Sequence, residues 1–305
     1  MKFDENTCLD KILHHLFIPY FKRVPDVIKI FNAMIKEGII NDTDEILNDH
    51  VAFRTLGVKY LGIQSLEKIF LHHGYTKMDH YHFESKKLDA YWYAPPHPKY
   101  PRVFISELRV EDLSHQTQKL LIKYTQDVKA DPVEALNLED ADAVEAFFHQ
   151  PLFSLPTSKE YQQLLNESEY AAWVLYNRYY LNHYTLSIHA LKKGYNTLEN
   201  FVLFLEKIGI KLNDAGGKIK VSRDKLLKQS STVAEMVKAK FSDGSILSIS
   251  GSYVEFAERR ILPEYKQLPE NQISPKHRRE GFEASNADKI FESTYTEQIK
   301  KEKNK

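Results

Sequence analysis

Two histidines and one glutamate draw attention because each lies in a run whose polar and apolar side chains alternate: NDHVAFRT at 48–55, LNHYTLSIH at 181–189 and GSYVEFAER at 251–259. A period of two is the pattern of a strand with one greasy face. His50, Ala52 and Arg54 then share a face opposite Val51 and Phe53. His183, Thr185, Ser187 and His189 oppose Tyr184, Leu186 and Ile188, while Tyr253, Glu255 and Ala257 oppose Val254 and Phe256. Two imidazoles and a carboxylate converging from separate strands are the ligand set of the facial triad, which holds non-heme Fe(II) with positions left open for substrate and oxygen. His50, His183 and Glu255 are therefore the expected metal ligands.

Their rivals rank lower on the same grounds. His189 shares the His183 face but lies roughly 20 Å further along an extended strand, too far to reach the same ion. Glu258 falls on the face opposite Glu255, where a solvent-side pairing is expected. Glu107, in PRVFISEL, takes the place in the first half that Glu255 takes in the second, and stands as a fourth ligand, a supporting acid or a salt-bridge partner. His14, His15, His72, His73, His80 and His82 read as surface positions on helices and a strand.

The elements that must position these residues come in a repeated order. After the strand at 48–55, residues 63–75 have helical spacing and end at Gly74, and 81–85, 88–96 and 101–110 read as strands. The strand at 182–189 leads likewise to a helix over 197–210 and strands over 216–222, 233–241 and 246–259, with Asp243–Gly244 as a hairpin turn. The expected organisation is a single catalytic domain over 1–265: a helical lead-in (7–39), module one (48–110), a helical insert (111–178) and module two (181–260). The prolines and charges of 266–305 predict an extended or disordered tail.

Composition restricts the partners. Lys+Arg and Asp+Glu both total 42, so no net field draws the chain of 305 residues to nucleic acid or an anionic membrane. The one cysteine, Cys8, excludes an intramolecular disulfide and a cysteine zinc cage. No apolar run reaches the roughly 20 residues of a membrane span, and the acidic N-terminus is unlike a signal peptide. A soluble, cytoplasmic protein is the expectation.

A strand–helix–three-strand unit used twice resembles the vicinal oxygen chelate architecture. The strings DHVAFRTLG, PRVFISEL, NHYT and DGSILSISGSYVEFAER are similar to those of the 2-oxoadipate dioxygenase/decarboxylases, also called hydroxyglutarate synthases, over residues 8–265. The resemblance implies an α+β fold in which two βαβββ modules form a curved sheet around a metal. It also implies Fe(II) held by His50, His183 and Glu255, and conversion of 2-oxoadipate and O2 to 2-hydroxyglutarate and CO2 with no added 2-oxoglutarate. Arg54, on the His50 face, suits the distal carboxylate of a 2-oxo dicarboxylic acid, because a guanidinium grips such a group bidentately. Ser250, Ser252 and Tyr253 are further candidate substrate contacts. Two other readings of the fold remain open: a glyoxalase-like isomerase or lyase with four ligands, which hinges on Glu107, and a non-enzymatic binding module, which needs no coherent triad.

Overall fold

The computed structural model describes residues 6–301. Two helices lead in, α1 (Cys8–Arg23) and α2 (Pro25–Lys36), the first closed by a Thr7/Asp10 capping box and the second begun by Pro25 in its first turn. Module one follows as β1 (Asn48–Leu56), α3 (Ile63–His72), β2 (Thr76–Phe83), β3 (Leu88–Ala94) and β4 (Arg102–Leu108). The insert supplies α4 (His115–Thr125), α5 (Ala141–His149), α6 (Ser158–Glu167) and α7 (Glu169–Asn177). Module two repeats the order with β5 (His183–Ser187), α8 (Leu198–Lys207), β6 (Lys220–Val221) and β7 (Leu227–Ser231). A hairpin of β8 (Met236–Lys240) and β9 (Ile246–Ser250) precedes β10 (Tyr253–Arg259).

The modules join edge to edge in one eight-stranded sheet of order β2-β3-β4-β1-β5-β10-β7-β6. β1 and β5 meet antiparallel at the centre, and each has a parallel neighbour from its own module, β4 or β10. The first strands of the two repeats thus lie side by side, which brings their polar faces to one place. The opposite faces carry the greasy residues expected there: Phe53 packs on Phe70 of α3 and Phe148 of α5, Tyr184 on Phe17 of α1, and Phe256 on Phe201 of α8. All of these are buried.

The structure departs from the sequence reading in module two and in the tail; the strand expected over 246–259 breaks at Gly251 into β9 and β10, which lie in different sheets. The third sheet strand of module two is β7, reading LKQSS, whereas most of the stretch expected at 233–241 belongs to the β8–β9 hairpin, a separate two-stranded sheet turning at Asp243–Gly244. A buried strand this polar is stable because most of its polar side chains are paired: Lys228 bonds Glu199, Gln229 bonds Glu255 and Asn286, and Ser231 bonds Ser293, while Ser230 Oγ is left without a partner. The second departure is the expected tail. Residues 284–300 fold as α9 (Ala284–Ile290), a 3₁₀ turn Phe291–Thr294 and α10 (Thr296–Lys300), with Phe282, Ile290, Phe291 and Thr294 buried. A few well-placed apolar residues suffice, because the polar face of the sheet gives this segment hydrogen-bond partners that its own composition lacks. Residues 302–305 of that expected tail lie outside the described residues.

Candidate metal centre and its substrate pocket

His50 on β1, His183 on β5 and Glu255 on β10 converge, all three buried. His50 Nε2 lies 3.2 Å from His183 Nε2, and Glu255 Oε2 lies 3.1 Å from His183 Nε2 and 3.7 Å from His50 Nε2. Donors about 2.1 Å from one ion in adjacent coordination positions stand roughly 3 Å apart, which matches this triangle. The far side of each imidazole is held by the preceding residue: His50 Nδ1 by Asp49 Oδ1 at 2.9 Å, and His183 Nδ1 by Asn182 Oδ1 at 3.1 Å. With the protons on Nδ1, both Nε2 lone pairs face the carboxylate oxygen. Such a triangle of acceptors needs a cation at its centre or a proton on one member, so the donor set fits a metal.

Charge inside the triangle is tightly coupled. Burial alone would raise the Glu255 carboxyl, but His50 and His183 hold it down at about 2. Burial pushes His183 down to about 4 against the pull of Glu255. His50 also resists charging through burial, yet Glu255 and the bond to Asp49 raise it above the ordinary imidazole value. Two further side chains fix the set: Gln229 Nε2 donates to Glu255 Oε1 at 2.7 Å, leaving Oε2 toward the histidines, and Asn286 Nδ2 of α9 donates to Gln229 Oε1 at 3.0 Å. Behind His50, Arg259 clasps Asp49 with Nε at 2.7 Å and Nη2 at 2.9 Å, while its Nη1 donates to the Gly281 and Arg279 carbonyls. Burial works against the Asp49 carboxylate, but Arg259 beside it holds its pKa well below the usual range.

Arg54 lies on the His50 face of β1 at 1 % exposure, without a carboxylate partner among the described residues. Its Nη1 donates to Thr294 Oγ1 at 2.9 Å and its Nη2 to the Phe291 carbonyl at 3.1 Å; its Nε has no acceptor. Tyr170, Trp173 and Phe291 present ring faces to it. Tyr253 stacks on His183 at 4.7 Å between centroids, and its buried hydroxyl also has no partner. A buried guanidinium that meets only neutral acceptors is a site for an anion, since charge-assisted bonds are the stronger ones. Tyr253, Phe104, Gln229, Phe282, Ala287, Ile290 and Phe291 complete the walls around the triad.

Several sequence-based expectations are corrected. Ser252 donates to the Leu181 carbonyl at 2.7 Å and Ser250 pairs with Met236 in the hairpin; neither lines the cavity, because the Gly251 turn packs against Trp173, whose Nε1 donates to the Gly251 carbonyl. Glu107 is not near the triad: its Oε2 accepts from the Ile63 amide at 2.7 Å and so caps α3. Gly62 makes room for it, since a Cβ there would lie 1.9 Å from that oxygen. Glu258 is buried and caps α8 in the same way, accepting from the Leu198 amide at 2.7 Å. His50 is level with Arg102 on β4 and His183 with Tyr253 on β10, so the counterpart of Glu255 is Phe104 and that of Glu107 is Glu258. The four-ligand reading thus loses its carboxylate. His189 lies beyond the end of β5 in a 3₁₀ turn, where burial and Arg278 push it down to about 3. Sequence reasoning passed over Asp49, Gln229, Asn286 and Phe282; of these, Asp49 carried a signal, because an acceptor side chain precedes the histidine in both repeats.

The family model of the 2-oxoadipate dioxygenase/decarboxylases matches residues 12–274. The chain is 48% identical over 269 residues to the chloroplastic 2-oxoadipate dioxygenase/decarboxylase of Arabidopsis thaliana, an alignment covering 85% of this chain and 71% of the relative. The chain belongs to the 2-oxoadipate dioxygenase/decarboxylase family. A chloroplastic/amyloplastic relative from Oryza sativa subsp. japonica is 44% identical over 268 residues, covering 85% of this chain and 72% of the relative. The crystal structure of the hydroxyglutarate synthase from Oryza sativa in complex with 2-oxoadipate superposes with a TM-score of 0.86 at 40% identity, over 94% of this chain and 92% of that one. A putative glyoxalase superfamily protein from Ralstonia eutropha shares the fold, with a TM-score of 0.71 at 20% identity over 91% and 87% of the two chains. The α+β, vicinal-oxygen-chelate-like architecture and membership of an enzyme family are thereby settled. The cytoplasmic expectation is overturned, because both curated relatives are named for plastids. A lone cysteine bounds the redox state of a compartment, not which compartment it is.

Proposed function

We propose that this chain is an Fe(II)-dependent enzyme that converts 2-oxoadipate and O2 to 2-hydroxyglutarate and CO2. The reading is carried by the buried triangle of His50, His183 and Glu255, three acceptors aimed at one point near a buried guanidinium that has no carboxylate partner among the described residues. A bound Fe(II) would hold the 2-oxo acid and oxygen together and supply electrons for oxygen activation. Asp49 and Asn182 keep the Nδ1 protons in place so that both Nε2 atoms are free to ligate, and Gln229 keeps Glu255 turned toward them. Arg54 binds the distal carboxylate of the six-carbon substrate, which sets its register along the cavity, with the Tyr253 hydroxyl as a further donor. Phe104, Phe282, Ile290 and Phe291 exclude water from the reacting end.

The test is anaerobic reconstitution with Fe(II), followed by oxygen uptake with a panel of 2-oxo acids. The expected result is CO2 and 2-hydroxyglutarate in equal amounts from 2-oxoadipate, without added 2-oxoglutarate. Glutarate as the sole organic product would mean that decarboxylation runs without hydroxylation. Turnover that proceeds anaerobically with zinc or nickel would replace this reading with an isomerase or lyase.

A further inference from the structure

The cavity enclosed by the triad has a volume of about 20 Å³, room for about one water. A six-carbon dicarboxylate is several times larger, so a wall must move. Most of the walls cannot: Phe104, His50, His183, Glu255 and Gln229 stand on β4, β1, β5, β10 and β7, each of which is hydrogen-bonded to a neighbour on both sides. The remaining wall is the C-terminal segment, with Phe282, Ala287, Ile290 and Phe291. It joins no strand ladder among the described residues and is seated mainly by side-chain bonds: Arg54 to Phe291 and Thr294, Asn286 to Gln229, Ser293 to Ser231, Asn213 to Ser293 and the Lys289 carbonyl, Tyr81 to Phe282 and Lys86 to Glu292, with a backbone bond from the Ala234 amide to the Ser293 carbonyl.

What lies outside this wall points to its use. Phe282 lines the inner cavity, edge-on to His50 at 4.8 Å, and the preceding Gly281 lines a cleft of about 690 Å³. Gly281 has φ +67°, a left-handed conformation that suits a hinge. Four cations, Arg102, Arg259, Lys276 and Arg278, line that cleft against three carboxylates, Asp49, Asp79 and Glu280. The other large cleft, about 700 Å³ against α3, carries more acids than lysines and does not adjoin the triad. Arg54 does not itself line the triad cavity; it lies behind Phe291, 5.6 Å from that ring's centroid, and its present acceptors are neutral and belong to the moving wall, so displacing that wall would open the guanidinium to an anion.

We propose that residues 281–294 form a lid over the metal centre, opening onto the Arg102–Arg278 cleft through which a small dicarboxylate enters. The lid is latched by Arg54, which exchanges the Phe291 carbonyl and Thr294 hydroxyl for the distal carboxylate of the ligand. The identity of that ligand rests on the function proposed above; the lid itself does not.

The Ser231 and Ser293 hydroxyls are 2.8 Å apart, so Ser231→Cys/Ser293→Cys offers a reversible clasp between lid and β7. With Co(II) bound under anaerobic conditions, two rates are measured in oxidised and dithiothreitol-reduced protein: binding of 2-oxoadipate and removal of the metal by 1,10-phenanthroline. Both should be at least tenfold slower in the oxidised form and recover on reduction. Equal rates in the two forms would overturn the lid. Reduced protein that ignores 2-oxoadipate, yet releases metal faster than the oxidised form, would remove the substrate reading and keep the lid. Hydrogen exchange serves if the clasp fails to form or the double variant fails to fold: the 284–294 amides should exchange faster than those of β1, and faster still in Thr294→Val. Exchange as slow as β1 in both proteins would equally overturn the proposal.

Discussion

The two modules keep the same scaffold and differ where the chemistry is. Each has a histidine at the start of its first strand, with Nδ1 held by the preceding side chain, and each has a glutamate on its last strand capping the module's own helix. At the place where module two carries Glu255, module one carries Phe104, packed against Phe282. At the place where module one carries Arg54, module two carries Ser187, by the matched registers of the first strands. Under the proposed function, one module would complete the metal set and the other would provide the anion site.

The strongest way to break this comparison is to remove a ligand. His50→Ala, His183→Ala and Glu255→Ala should each reduce bound Fe(II) to background in metal analysis while the circular dichroism spectrum stays folded; His189→Ala should leave metal content near normal. Full metal content in the three ligand variants would discard the triad. Making the modules alike is the next test. Phe104→Glu places a second carboxylate beside the three donors and should retain metal but fill a position that substrate needs, so oxygen uptake falls steeply.

Arg54→Ala should keep its metal and weaken 2-oxoadipate by about 2–4 kcal/mol, with Arg54→Lys recovering part of this because a point charge lacks the fork. A 2-oxo acid of equal length ending in a methyl group should lose little further in the alanine variant. Equal losses for both substrates would assign Arg54 to the fold. Asp49→Asn should lower metal affinity by roughly 10–100-fold, measured by competition with a chelator.

The smallest effects belong to the shared scaffold. Glu107→Ala and Glu258→Ala should each cost about 1 kcal/mol of stability through a lost helix cap and leave metal content unchanged. Glu107 adds a pH signature. Burial, with Asp89 and Glu111, raises its pKa in the fold. The native state therefore holds a proton that the unfolded chain releases first, and stability falls as pH rises from the unfolded value through the folded one. Glu107→Gln should flatten that fall in urea titrations.

What was legible in the sequence follows from periodicity. The triad could be read because His50, His183 and Glu255 sit in alternating strands whose greasy faces fix their direction. Tyr253 was placed in the pocket on the same ground, as a neighbour of Glu255 on its face. Glu107, for which a structural role was among the readings, was set level with Glu255 because strand order alone does not give register: a shift of three residues separates a helix cap from a ligand position. Ser250 and Ser252 were read from turn chemistry, which says that a backbone bends but not what it bends toward. β7 and the lid were missed because their stability comes from long-range pairs, such as Gln229 with Asn286 and Arg54 with Thr294, that leave no local pattern. The polar face that made the triad visible also hid the segment that covers it.

Arg259 has a further consequence. One guanidinium clasps the Asp49 carboxylate behind His50 and also holds the Gly281 and Arg279 carbonyls, so three stretches far apart in the chain share one side chain. Substitutions among them should be strongly non-additive. Once Arg259 is lost, Asp49→Asn removes a buried charge that no longer has its main partner, and should cost less than it does in the intact protein. Over many generations such a knot constrains the order in which changes can accumulate: a first step at Asp49 or Arg259 is penalised whichever comes first, and only a later change at the other would make it tolerable.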